Sequence, residues 1–218
     1  MMAQTLCWIL TFHASAVQRT ETTLIHWAGE GNGIASARPD SSVRRALDTL
    51  RQRSNVAFGG GEYLRFDVNY GFITAGEAVM NVVDTICAGP RKCLKINFRV
   101  NSKPFFDLVY KVRDRYRTVL DAGGLFPWRF EQHIREGGYS RDFTADFDQI
   151  THRAVTSEGA YSVPPYVHDI MSAFYFARTV DYAGFRPGEK IHLQNFYKDS
   201  TYELDVKFKG YQTIDVDM

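Results

Sequence analysis

The sequence predicts a mainly β protein: an antiparallel meander forming a curved sheet or open half-barrel, with one packed helix near residues 166–178. Three observations carry this. Period-two alternation recurs in three separate runs, and such alternation means one buried and one wet sheet face. Glycine-bearing turns, not helical patterns, lie between the runs, so βαβ crossovers have no support. Aromatic side chains make up 14% of the 218 residues, which favours strands over helices.

From the start of the chain, Leu6 to Phe12 form a short apolar stretch, and Ala14-Ser15-Ala16 fits a small-x-small cleavage pattern. No Lys or Arg precedes that stretch, so it reads equally as a signal-like leader or as an unstructured extension. Residues 17–55 are polar and lack alternation. Inside them Asp40-Ser41-Ser42 fits a helix cap, with Val43, Leu47 and Leu50 along one face. Residues 1–55 are therefore taken as leader and polar surface segment, and residues 56–218 as the β domain.

Within that domain Leu64, Phe66, Val68 and Tyr70 alternate with polar neighbours, as do Leu94, Ile96, Phe98 and Val100, and later Tyr202, Leu204, Val206 and Phe208. Gly137-Gly138 suits a two-residue hairpin turn. That turn sets Arg129 opposite Asp146 and His133 opposite Asp142, as cross-strand ion pairs. Near residue 167 the period changes. Val167, Ile170, Met171, Phe174 and Ala177 fall at helical spacing on one stripe, predicting a helix whose apolar wedge faces the sheet. Ser162 is its expected cap, with Pro164-Pro165 in the first turn.

Cys87 and Cys93 flank a turn-like insert between two strand patterns. Opposed hairpin positions lie within disulfide range, so a bridge and two free thiols both stay open. The free-thiol reading is taken, with a pair close enough to oxidise should the chain be exported. Three cysteines with no second pair give poor support for zinc, and no other metal or cofactor pattern stands out.

A net charge of +1 argues against nucleic acid as a partner, and no run is long enough for a transmembrane helix. Two polar sets are the candidate ligand-binding residues. Lys111, Arg113, Arg115 and Arg117 place four cations on one strand face at about 6.6 Å spacing, suited to a polyanion. A solvated or acid-paired face is the competing reading. Asp169, Ser172, Tyr175 and Arg178 wind around the helix flank and are expected to edge a groove, or else to serve the helix ends as charges matched to its dipole. No nucleophile motif accompanies His168 or Asp169, and no catalytic residue is assigned.

Several blocks in order resemble a known family: Ala57-Phe58, Gly61-Glu62, Phe66-Asp67-Val68 and the stretch from Tyr70 to Ala78. His133-Ile134-Arg135-Glu136-Gly137-Gly138 follows, then Asp169, Ser172, Tyr175 and Arg178, then Pro187-Gly188-Glu189. The family is a bacterial one, domain of unknown function number three thousand one hundred and eight, and the likeness runs from about Ala57 to the end. It implies export to the envelope of Gram-negative cells and supplies no catalytic residues. Similar proteins continue with further strands where this chain stops at Val216-Asp217-Met218. The expectation is a domain short of its closing strands, with an edge open to association. The function expected is a non-catalytic envelope module that binds a lipid, a glycan or a partner protein. An envelope hydrolase or lyase acting on polysaccharide is the alternative.

Overall fold

The computed structural model describes residues 13–16, 41–87 and 91–213. Nine strands form one antiparallel sheet in chain order: β1 (His13–Ala16), β2 (Tyr63–Tyr70), β3 (Ile73–Ile86), β4 (Lys92–Ser102), β5 (Arg113–Asp121), β6 (Pro127–Glu136), β7 (Tyr139–Asp148), β8 (Arg153–Thr156) and β9 (Gly159–Ser162). Strands β2 to β9 are the expected meander, and the sheet does not close into a barrel. Strand β1, which contains the small-residue stretch Ala14-Ser15-Ala16, adds to the β2 edge. Strands β10 (Lys190–Tyr197) and β11 (Ser200–Lys207) form a separate hairpin. Three helices complete the described chain: α1 (Ser41–Asp48), α2 (Pro104–Asp107) and α3 (Ile170–Ala177). The leader stretch at residues 6–12, the cap at Asp40 and the end at residues 214–218 lie outside the described residues.

Alternation decides which face is buried. Leu94 and Ile96 of β4 are buried while Lys92 is exposed and Lys95 half-buried; Phe143, Ala145 and Phe147 of β7 are buried while Asp142, Asp146 and Asp148 are exposed. The inner face so formed packs on Met171, Tyr175 and Phe176 of α3 and on Leu193 and Phe196 of β10 in one apolar cluster. A smaller cluster joins Leu47 and Leu50 to Phe126. The expected face of the first helix is therefore real at those two positions.

The β6–β7 register is the one expected. Arg129 pairs with Asp146 at 2.7 Å and His133 with Asp142 at 2.7 Å. Gly137 takes φ +54°, and a Cβ there would meet the Tyr110 ring at 2.9 Å. Position 137 thus needs glycine on two counts.

Two expectations are corrected. Cys87 and Cys93 are not free thiols but a disulfide, with Cα atoms 5.5 Å apart. The β3–β4 ladder runs to Ile86 opposite Lys92 and delivers the two cysteines to one another. The helix also turns another face inward. Ile170 and Phe174, expected in the core, are 49% and 41% exposed, whereas Asp169, Ser172 and Tyr175 are fully buried. Val167, Met171 and Ala177 are buried as expected. The reason is that the buried polar atoms have partners: Asp169 caps the helix, and the Tyr175 hydroxyl reaches Glu62. Once hydrogen-bonded, a polar side chain no longer resists burial. The helix begins at Ile170 because Asp169, not Ser162, is its cap, and Tyr166 takes φ +57° just before it.

Candidate oxyanion site on the outer sheet face

Strands β4 and β5 are joined by residues 103–112, which hold α2, so their register is set by the ladder and not by a tight turn. The ladder sets Asn97 opposite Arg117, Arg99 opposite Arg115 and Asn101 opposite Arg113. All six residues share the outer face, because the residues between them, such as Phe98 and Tyr116, pack inward.

The four cations singled out in the sequence have different fates. Arg113 is held by Asp107 at 2.5 Å, and Ser102 donates to the same carboxylate. Arg117 meets Glu131 at 3.1 Å and Asn97 at 3.3 Å. Lys111 lies before β5 and is exposed. Arg115 has Arg99 on one side and His133 on the other. The cross-strand row reads Arg99, Arg115, His133, Asp142, with its single carboxylate at the far end. That carboxylate is already engaged by Arg135 and His133, whose contacts pull its pKa down to about 2. Among the described residues no acid pairs with Arg99 or Arg115. Like charges directly opposite on neighbouring strands are unfavourable, so the arrangement calls for an anion.

The space in front of the pair suits one. A concavity of about 400 Å³ is lined by Asn81, Asn97, Arg99, Arg115, Arg117, Glu131 and His133. Two guanidinium groups provide planar donor forks for an oxyanion, and the Asn81 and Asn97 carboxamides can donate further hydrogen bonds. This is binding chemistry. Arg99 was missed in the sequence because only the alternation of Lys95, Asn97, Arg99 and Asn101 marks it. Which residue it faces depends on a register set across a ten-residue connection.

The second predicted set is brought together, but inside. One Asp169 oxygen accepts from the backbone of Met171 and Ser172 and from the Thr118 hydroxyl of β5. Its other oxygen is buried without a hydrogen bond among the described residues, and burial raises the Asp169 pKa to about 6. Ser172 completes the capping box by accepting from the Asp169 backbone. Tyr175 and Arg178 converge on Glu62, just ahead of β2. The four residues join helix to sheet.

A larger cleft, about 700 Å³, lies beside α3 and β10 and is bordered by Arg51, Arg53, Tyr166, His168, Phe176 and His192. Arg51 is committed there. It donates to the carbonyls of Gly124 and Leu125 and lies over the Tyr166 ring at 4.5 Å. Burial lowers its pKa to about 10. His168 is kept neutral, its pKa pushed down to about 3 by burial and then by the Arg51 charge. Among the described residues no three His, Cys, Asp or Glu side chains gather as metal ligands would. No helix there is long and apolar enough to cross a membrane.

The family model described as Protein of unknown function (DUF3108) matches residues 65–218. No curated protein and no solved structure matches the chain.

Proposed function

We propose, on the premise that this chain belongs to the DUF3108 family, that it is a non-catalytic binding module of the cell envelope. Its outer sheet face takes an oxyanion-bearing ligand: the phosphate, sulfate or carboxylate of a glycan or of a lipid headgroup. The observation that carries this reading is Arg99 set directly opposite Arg115 with no acid to neutralise either among the described residues. A sheet keeps such a repulsive pair at a cost, and a bound oxyanion removes the cost while gaining two charge-assisted forks. The Cys87–Cys93 bridge supports an exported location, since disulfides persist in oxidising compartments.

The test is calorimetric titration with pyrophosphate and with a phosphorylated oligosaccharide. Binding should weaken as salt rises, and the double variant R99Q/R115Q should lose at least tenfold in affinity with its thermal midpoint unchanged or raised. No binding by the parent chain, or equal binding by the double variant, overturns the reading.

A further inference from the structure

Three connections of the meander meet at one end of the sheet: residues 70–73 between β2 and β3, residues 103–112 between β4 and β5, and residues 136–139 between β6 and β7. Hydrogen bonds place the second connection beside the start of β3 and beside the third connection. Lys103 N donates to the Ala75 carbonyl and Gly137 N to the Lys111 carbonyl, each at 2.8 Å. The side chains they present are apolar and uncovered. Phe72 is 98% exposed, Leu108 and Val109 are each 85% exposed, and Tyr70, Phe105 and Tyr139 are more than half exposed. At the opposite end the β5–β6 connection turns its large apolar residues inward, with Leu125 and Phe126 fully buried. A connection of this sheet can thus bury its large apolar residues, which these three leave uncovered. Contiguous apolar exposure of this kind marks an interaction surface.

The charges among the tips identify the partner. Lys103 and Lys111 are exposed and form no ion pair among the described residues, although Lys111 lies near enough to Asp107 to help lower its pKa. Of the acids there, Asp107 is occupied by Arg113. Glu136 accepts from the Tyr110 hydroxyl at 3.5 Å, and its pKa is raised by burial first and then by the nearby Asp114 charge. The end thus combines aromatic and aliphatic tips with exposed ammonium groups. That is the composition of a surface matched to a bilayer interface with anionic headgroups, where aromatic rings settle at headgroup depth and each lysine near the surface adds attraction. The apolar groups are spread over three connections and exposed to solvent, which suits a fluid layer better than a shaped protein partner.

We propose that this end of the sheet docks on a membrane surface carrying anionic lipid. Phe72, Phe105, Leu108 and Val109 enter the interfacial layer, and Lys103 and Lys111 lie over the headgroups. The surface is separate from the Arg99–Arg115 pair on the outer face, so either reading can fail alone.

The experiment is co-sedimentation of the full chain with phosphatidylcholine vesicles, with and without phosphatidylglycerol. The parent chain should bind the anionic vesicles more tightly. F72S/L108S should lose at least tenfold in binding, as should K103Q/K111Q, with unchanged circular dichroism because all four side chains are exposed. Pyrophosphate titration of F72S/L108S should match that of the parent chain, which separates a loss of docking from any change at the outer sheet face. The proposal is overturned if the parent chain stays in solution, or if F72S/L108S binds as the parent does. It is equally overturned if the patch proves to join two copies, seen as a dimer that F72S/L108S dissociates without any vesicle binding by the parent.

Discussion

Arg178 at the end of α3 grips Glu62 through two nitrogens, at 2.8 and 2.7 Å, and the Tyr175 hydroxyl donates to the same carboxylate at 3.2 Å. One carboxylate thus anchors the last turn of the helix to the segment entering β2. Its partners stack as well: the Arg178 guanidinium lies 5.0 Å from the Tyr175 ring centre and 5.5 Å from that of Phe58. Replacing Arg178 with Met should strand a half-buried Glu62 carboxylate and destabilise the fold by about 2–3 kcal/mol, below the full cost for a completely buried pair because both side chains keep some solvent. E62Q/R178M should lose less than the sum of the single changes. Urea denaturation of the four proteins measures it, and strictly additive losses would deny the coupling.

The same residues show what was readable in advance. The β6–β7 register was legible because local chemistry encodes it twice, in a glycine turn and in complementary charges at matching offsets. The inward face of α3 was not. Counting apolar spacing finds the stripe of Ile170 and Phe174, but burial followed the polar residues whose partners, Thr118 and Glu62, lie 51 and 113 positions away. Long-range hydrogen bonding leaves no periodic trace. The cationic row was visible as a set on one strand, yet which members are neutralised depends on Asp107, Glu131 and Arg99 arriving through the fold.

Reduction of the Cys87–Cys93 bridge should lower stability by roughly 2 kcal/mol, as expected for closing so short a loop in the unfolded chain. Thermal melts with and without reductant, and of C87S/C93S, should shift alike. An unchanged midpoint would mean that the β3–β4 ladder holds this turn unaided.

His168 should make the fold sensitive to acid. Burial pushes its pKa from 6.5 down to about 3, so between those values the unfolded chain binds a proton that the native state refuses. Stability from this group is complete above about pH 6.5 and is lost as pH falls, by at most about 1.4 kcal/mol per pH unit. Asp169 works in the opposite direction. Burial raises its pKa from 3.8 to about 6, so its contribution weakens as pH rises through that interval. H168Q should therefore flatten the acid loss, and D169N should steepen it while keeping the carbonyl that caps the helix. Stability curves from pH 4 to 7 check both, and parallel curves for all three proteins would reject the assignment.

The opposed arginines should reveal themselves even without ligand. If Arg99 and Arg115 repel across β4 and β5, removing either charge relieves the same strain, so R99Q and R115Q should each gain stability and the double variant should gain less than their sum. The coupling should amount to about 0.2–1 kcal/mol at low salt. It should shrink as ionic strength rises, since exposed charges are screened. A cycle of four proteins removes the strand propensity of glutamine from the comparison. Phosphate or pyrophosphate should then raise the thermal midpoint of the parent chain but not of R99Q/R115Q, because a ligand that binds only the native state stabilises it in proportion to its occupancy. A pair that proves mutually stabilising without ligand would mean that the two guanidiniums stack instead of repel. The outer face would then have no unmet demand for an anion.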